Sequence, residues 1–600
     1  MTSFENLPDM FFTQAQRYTE RPRYRFKPGA RWQEVTWGAC AERVRAIAGG
    51  LVNLGLAPGE RVALLAGTRP EWMEVDLAIL AAGGITVPIY PSNLAAECGY
   101  IVWNSDAAFV CAENARQLAK IRQVEQEGFD LDGVSHRIAP RQMITIDETG
   151  DAGAISLSQL MDRGRGFSAS DLRCRFTGTG RDQLATIVYT SGTTGPPKGV
   201  MQTHGNHLAA VESVGKLHMI KPGDVDFFFL PLAHSFARLI EYLGLHEATI
   251  TAFARSIDTL MEDVRESRPH LIPSVPRIYE KIFSRVQAAR NESARVKRLL
   301  MDWALNVGQQ RSLQQQAGVR PSLFLAWQAA LADRLVFSKI QSLLGGRVKF
   351  LVSGGAPLAP EIARFFHTAG LLILEGYGLT ETTPILTVNR PDKFKFGTVG
   401  QPLDSVTLRI GADGEILAKG PNIAVGYYNR PEATRSAWDE EGWFHTGDIG
   451  ELDQDGFLRI TDRKKDLIKT SGGKYVAPQN VENLMKTQPH ISQVVLIGDR
   501  RKYCVALITL DPDEIQAWAK KEGVSLPPNP TEWAQDPRVV ALIDAEVAEA
   551  NRHLASHESI KYYRILPRDF SVEAGELTPS LKIKRKVVTE KYRELVEDMY

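Results

Sequence analysis

Short apolar runs of the kind that form buried strands alternate with helical segments along much of this chain, and no other feature restricts its fold as tightly. Val44, Ile47, Ala48, Leu51 and Leu54 recur at helical spacing, APGE makes a turn, and RVALLA (61–66) follows as a strand. A helix from Glu71 leads into the strand GITVPIY, and QLATIVY (183–189) is another buried strand. A second series runs through VKFLVSGGAPL (348–358) and LLILEGYG (371–378). Alternation of this kind predicts parallel sheets covered by helices. Residues 277–340, rich in Gln, Arg, Ala and Leu and poor in turn signals, predict a peripheral helical insertion. From about Phe396, short strands separated by Gly, Asp and Pro indicate a small β unit. Beyond the charged stretch TDRKKDLIKTSGGKYV, a helix, two strands and a terminal helix make a compact α+β domain. The expected fold is therefore α/β: a large N-terminal domain of helix-covered sheets with a small β unit (1–463), hinged to a smaller α+β C-terminal domain (464–600).

Six hundred residues exceed what one core supports, which agrees with two domains. The 71 basic and 71 acidic residues cancel, so no overall field favours nucleic acid. The five cysteines are scattered without zinc-ligand spacing, as free thiols of a reducing compartment. The N-terminus carries acids where a signal peptide needs basic residues, and the best apolar run (77–90) is short and broken by Gly and Pro. The expectation is a cytoplasmic protein, with peripheral contact on the inner membrane face left open.

The stretch YTSGTTGPPKGV (189–200) gathers Thr190, Ser191, Thr193 and Thr194 around Gly192 and Gly195, then places Lys198 behind two prolines. Glycines admit a ligand close to the backbone, hydroxyls donate and lysine adds charge, which together suit phosphate. Proline has no N–H, so a Walker-type nest of backbone amides cannot form here and the grip must come mostly from hydroxyls. A turn rich in Gly, Thr and Pro would look similar over four residues, but not over twelve.

Four further segments accompany this loop: EGYGLTET (375–382), GWFHTGD (442–448), TDRKKDLIK (461–469) and LTPSLKIKRK (577–586). In this order the five resemble the adenylate-forming acyl-CoA synthetases, over nearly the whole chain. VPRIYEKIF (275–283), the helical insertion and the ending TPSLKIKRK resemble the long-chain fatty-acid CoA ligases among them. The resemblance implies attack of a fatty carboxylate on the α-phosphate of ATP, then displacement of AMP by the thiol of coenzyme A. It further implies that Thr190, Ser191, Gly192, Thr193, Thr194, Gly195 and Lys198 hold the outer phosphates. Tyr377, between Gly376 and Gly378, would lie against adenine, with Gly354, Gly355 and Ala356 opposite and Glu375 near the exocyclic amine. Thr380 would meet the α-phosphate and Glu381 would bind Mg²⁺. Asp448 would accept the ribose hydroxyls, joined by Arg463.

Lys582 would bridge carboxylate and α-phosphate; it follows Leu581 where the family often has glycine. His234 would lie beneath the acyl group, with Arg238 at a position where some long-chain members carry a gating tryptophan. Lys465 would be the hinge, and Gly472 and Gly473 would meet coenzyme A. Three other readings stay open at this point: an amino-acid adenylation domain, a fatty acyl-AMP ligase delivering to a carrier protein, and a silent lipid- or nucleotide-binding module.

Overall fold

The computed structural model describes residues 4–190, 196–578 and 582–600. The alternation read from the sequence becomes two large sheets. In the first, eight strands run in the order Gly426–Tyr427, Lys198–Thr203, Leu184–Thr190, Ile85–Ile89, Arg61–Leu65, Ala107–Ala112, Gln142–Thr145 and Ala154–Ser156. Its centre is parallel. The second has nine strands, with a parallel centre formed by Ile250–Phe253, Val225–Phe228, Leu271–Ser274, Phe350–Ser353 and Ile373–Gly378.

Helices fill the space between and around these sheets for local reasons. Thr36 caps Trp37–Asn53 by accepting from the Ala39 N–H, and Cys40, Val44, Ile47, Ala48 and Leu51 form its buried stripe. Pro70–Ala81 opens on a proline and is buried on nearly every side, its buried acids Glu74 and Asp76 paired with Arg43 and Arg238. The insertion is helical throughout: Pro276–Asn291, Arg295–Gln316 and Leu323–Ala332, the last running through a π-turn into Ser338–Leu343. It is anchored by Tyr279, Ala304, Val307 and Phe337 against Phe366 and its neighbours.

The β unit is a four-stranded antiparallel sheet ending in Phe444–Leu452 and Leu458–Arg463. Beyond it, Ile491–Ile497, Cys504–Leu510 and Ile560–Ile565 form a separate sheet with its own core around Val494, Ala506 and Ile508. Arg277 in the insertion reaches this part of the chain, donating to the Ser492 carbonyl (3.2 Å) and to Ser492 Oγ (2.8 Å). Among the described residues no helix is long and apolar enough to cross a membrane.

Candidate active site

The strand Leu184–Thr190 pairs antiparallel with Lys198–Thr203, with Thr190 opposite Lys198. Ser191, Gly192, Thr193, Thr194 and Gly195 lie outside the described residues. Thr190 and Lys198 line a cavity of about 2630 Å³ that the two large sheets, the β unit and the C-terminal segment enclose together.

Strand Ile373–Gly378 delivers Glu375, Gly376, Tyr377 and Gly378 to its wall, and the short 3₁₀ turn that follows delivers Thr380 and Glu381. Gly378 is obligatory: a Cβ there would stand 1.5 Å from the Pro384 carbonyl oxygen. Gly355, with φ +82°, and Ala356 line the same cavity, while Gly354 lines a smaller apolar branch of about 110 Å³. Leu239, Ile240, Leu243, Leu271 and Leu374 surround that branch, with His234, Tyr377 and Lys582 also on its wall.

Asp448 and Arg463 face each other across adjacent antiparallel strands. Asp448 accepts from the Tyr377 hydroxyl (2.7 Å) and lies 3.5 Å from Arg463 Nε. Burial raises the Asp448 carboxyl above its ordinary range, with Arg463, Tyr377 and Lys582 opposing the shift. Burial likewise pushes Glu375 up to about 8, opposed by a backbone N–H at Leu358.

Lys582 enters from the C-terminal segment beside an antiparallel bridge between Leu577 and Ile583. The Lys582 N–H donates to Thr578 Oγ1 (3.0 Å), and its carbonyl accepts from the Thr578 N–H (2.7 Å). Desolvation lowers its ammonium to about 8, helped by Arg463 and opposed by Asp448 and Glu381. Burial and Lys582 together hold His234 down to about 3, so its imidazole is neutral at physiological pH.

Three residues escaped sequence reasoning. Tyr427 donates its hydroxyl to Glu381 Oε1 (2.8 Å), and its ring lies 4.9 Å from Lys198 Nζ. Gln202 donates to the Thr380 carbonyl (2.6 Å) and fixes that turn. Arg585 pairs with the buried Glu482 (2.8 Å) and donates to the Leu496 carbonyl, tying the chain after Lys582 to the C-terminal sheet. No motif spacing announces them; an aromatic in a β unit or an arginine in a basic run reads as core or surface.

Arg238 requires a correction. It was expected beside the acyl group, yet it lines neither cavity and is 1% exposed. Its guanidinium donates to Asp76 (2.9 Å), Thr186 Oγ1 and the Tyr242 hydroxyl, which itself donates to Asp76 (2.7 Å). An arginine swinging out of this network would strand Asp76 as a buried unpaired charge, so it is no gate. Lys465 lies in an exposed turn at the cavity's edge. Gly472 and Gly473 occupy an exposed turn between Ile468–Lys469 and Tyr475–Val476 and do not reach the cavity in this arrangement.

A family model described as AMP-binding enzyme matches residues 11–428, and one described as AMP-binding enzyme C-terminal domain matches 465–600. The long-chain-fatty-acid–CoA ligase FadD15 of Mycobacterium bovis is 36% identical over 573 residues, covering 95% of this chain and 92% of that protein. The peroxisomal long chain acyl-CoA synthetase 7 of Arabidopsis thaliana is 33% identical, covering 94% and 81%. Among solved structures, the adenylation domain of a carboxylate reductase from Mycobacterium chelonae shares the fold, with a TM-score of 0.75, 22% identity, and coverage of 99% of this chain and 91% of that one. The cavity, the strand pair that ends at Thr190 and Lys198, and the lysine brought in from the second domain are thus those of a chain that belongs to the AMP-binding enzyme family.

Proposed function

We propose that this chain is an ATP-dependent ligase that converts a long-chain fatty acid into its acyl-adenylate and passes the acyl group to coenzyme A. The observation that supports this most directly is the meeting of Lys582, from the C-terminal domain, with Thr380, Glu381 and Asp448 in one cavity. A fatty carboxylate is ionised at neutral pH, so the first step needs no general base. It needs two anions held in contact, which a desolvated cation aimed between them supplies.

In this reading, Thr190 and Lys198 hold the outer phosphates, joined by Ser191, Gly192, Thr193, Thr194 and Gly195, whose part rests on the sequence alone. Tyr377 lies against adenine, across from Gly354, Gly355 and Ala356, and Glu375 meets its exocyclic amine. Asp448 accepts the ribose hydroxyls in place of its present partners, beside Arg463. The neutral His234 adds no charge where the acyl carboxylate meets Lys582. The donor set suits Mg²⁺: among the described residues no cluster of three metal-ligating side chains exists, but Glu381 offers a hard oxygen next to the phosphate site. Bound there, the ion would draw charge from the phosphate oxygens.

The apolar branch beside helix Ser235–Glu247 is the place for the acyl chain. At about 110 Å³ it holds only the first few carbons, so its walls must part as the chain enters. Burial of each methylene, worth about 0.8 kcal/mol, offsets that opening. Thioester formation calls for another domain arrangement, because Lys582 lines the cavity while Gly472 and Gly473 lie outside it. Rotation about Lys465 would exchange them.

The test is a panel of carboxylic acids with ATP and Mg²⁺, with and without coenzyme A, following pyrophosphate, AMP and thioester. Palmitate should give all three. Faster turnover of acetate would remove the long-chain assignment, and adenylate without thioester would point to a carrier protein as acceptor.

A further inference from the structure

The helical insertion carries an anomaly that catalysis does not use. Helix Leu323–Ala332, LFLAWQAALA, has no charged residue. Its inner face, Leu325, Ala329 and Ala332, is buried against the domain, yet its outer face is apolar too. Leu323 is 92% exposed, Phe324 67% and Trp327 62%, and the Phe324 and Trp327 rings stack on each other. Leu323, Trp327 and Ala330 follow one another at helical spacing on the outside, and Leu313 and Val319 nearby in sequence are also more than half exposed. None of the three large side chains lines the active-site cavity. Adjacent exposed apolar side chains of this size mark a surface that leaves water in use.

The charge of the insertion points to what covers this face. Between Lys281 and Lys339 the chain has ten basic and three acidic residues, although its total is neutral, so the remainder is net acidic; of the ten, Lys281, Arg285, Lys297 and Lys339 line the active-site cavity. Two of those three acids are already engaged, Asp302 by Arg290 and Asp333 by Arg311. Arg320 and Arg334, which bracket the apolar helix, are exposed and pair with no carboxylate among the described residues. We propose that helix Leu323–Ala332 seats this protein on an anionic lipid bilayer, with Leu323, Phe324 and Trp327 in the interface and Arg320 and Arg334 on headgroup phosphates. Aromatic side chains favour that depth, and paired basic residues add the second signal that stable peripheral binding requires. The acidic remainder is repelled by the same surface, which orients the molecule insertion-down. Leu335, next to Arg334, lines the active-site cavity and is itself 39% exposed, so docking sets an edge of the cavity beside the bilayer. The docking rests on the insertion alone and is independent of the reaction assigned above.

Co-sedimentation of the full chain with phosphatidylcholine vesicles, with and without phosphatidylglycerol, tests this. The protein should pellet with the anionic vesicles and be released by salt. Leu323→Ser/Phe324→Ser/Trp327→Ser should lose at least about tenfold in vesicle partitioning at an unchanged melting temperature, and Arg320→Glu/Arg334→Glu should lose binding to the anionic vesicles alone. Equal partitioning of the wild type and the triple variant, or no binding of the wild type to either vesicle, would overturn the proposal. So would a wild-type dimer in sedimentation velocity that the triple variant abolishes without any vesicle binding, since the face would then join two copies of this chain.

Discussion

The Tyr427 hydroxyl donates to Glu381 Oε1 at 2.8 Å, and the face of the same ring holds Lys198 Nζ 4.9 Å from its centre. One side chain thus orients both the carboxylate proposed for Mg²⁺ and the cation proposed for the outer phosphates.

Two substitutions separate those contacts. Tyr427→Phe removes a hydrogen bond to a charged group and should raise the KM for ATP·Mg²⁺ on the order of 10- to 100-fold. Tyr427→Ala also removes the cation–π contact and should raise it by a further factor of about three or more. Steady-state kinetics with varied ATP·Mg²⁺ would show this. Equal effects of the two changes would mean that the ring does not hold Lys198, and a silent Tyr427→Phe would mean that Glu381 is oriented by other groups.

Lys582 gives the adenylation step its expected pH dependence. Its ammonium is lowered to about 8, so the cation predominates below that value and is lost above it. The kcat/KM for adenylation, which reports the free enzyme, should therefore fall as pH rises through about 8. Lys582→Ala should lower adenylation on the order of 100- to 1000-fold while sparing thioester formation from supplied acyl-adenylate. Lys582→Arg, which stays charged, should lose the alkaline fall even if it is slow. Pyrophosphate release across pH checks both, and an alkaline limb that survives in Lys582→Arg would belong to a different group.

The uneven legibility of this chain has physical causes. Arg61–Leu65 is largely buried and carries a continuous apolar run bounded by Gly and Pro, and Ile373–Gly378 follows the apolar run LLIL, so both are readable within a residue or two. Arg238 misled because the resemblance carries over a position four residues after His234, and a position says nothing of where the side chain points. His234 is not in the helix: it is the N-cap, with extended backbone (φ −93°, ψ 135°), and its ring accepts from the Phe236 N–H. Helical periodicity begins at Ser235, and by that count Arg238 turns into the core. Tyr427, Gln202 and Arg585 were illegible because each acts through a residue far away in sequence, and single-chain spacing carries no such information.

Arg238 consequently belongs to stability. Arg238→Ala leaves Asp76, itself almost fully buried, without its counter-charge. Breaking a buried pair from one side typically costs about 3–5 kcal/mol. Chemical denaturation should show a loss of that size, while turnover per folded molecule at low temperature stays near wild type. A large fall in turnover with unchanged stability would return Arg238 to the acyl pathway.

Arg277 is expected to bias the two half-reactions in opposite directions. Its guanidinium crosses from helix Pro276–Asn291 to the Ser492 carbonyl and hydroxyl, and lies 3.7 Å from Asp511. The Ser492 hydroxyl donates in turn to Asp569. These contacts join the large domain to the C-terminal one in the arrangement that brings Lys582 into the cavity, and Gly472 and Gly473 are then excluded from it. Arg277→Ala removes charge-assisted hydrogen bonds worth about 1.5–3 kcal/mol to that arrangement. Adenylation should slow about tenfold, because fewer molecules present Lys582 to the nucleotide. Conversion of supplied acyl-adenylate and coenzyme A should hold or quicken, because the domain is freer to rotate away. Rapid-quench measurement of each half-reaction, with Ser492→Ala as the change on the opposite side, makes the comparison. If both half-reactions slow together in Arg277→Ala, the arginine supports the insertion's fold and does not latch the domains.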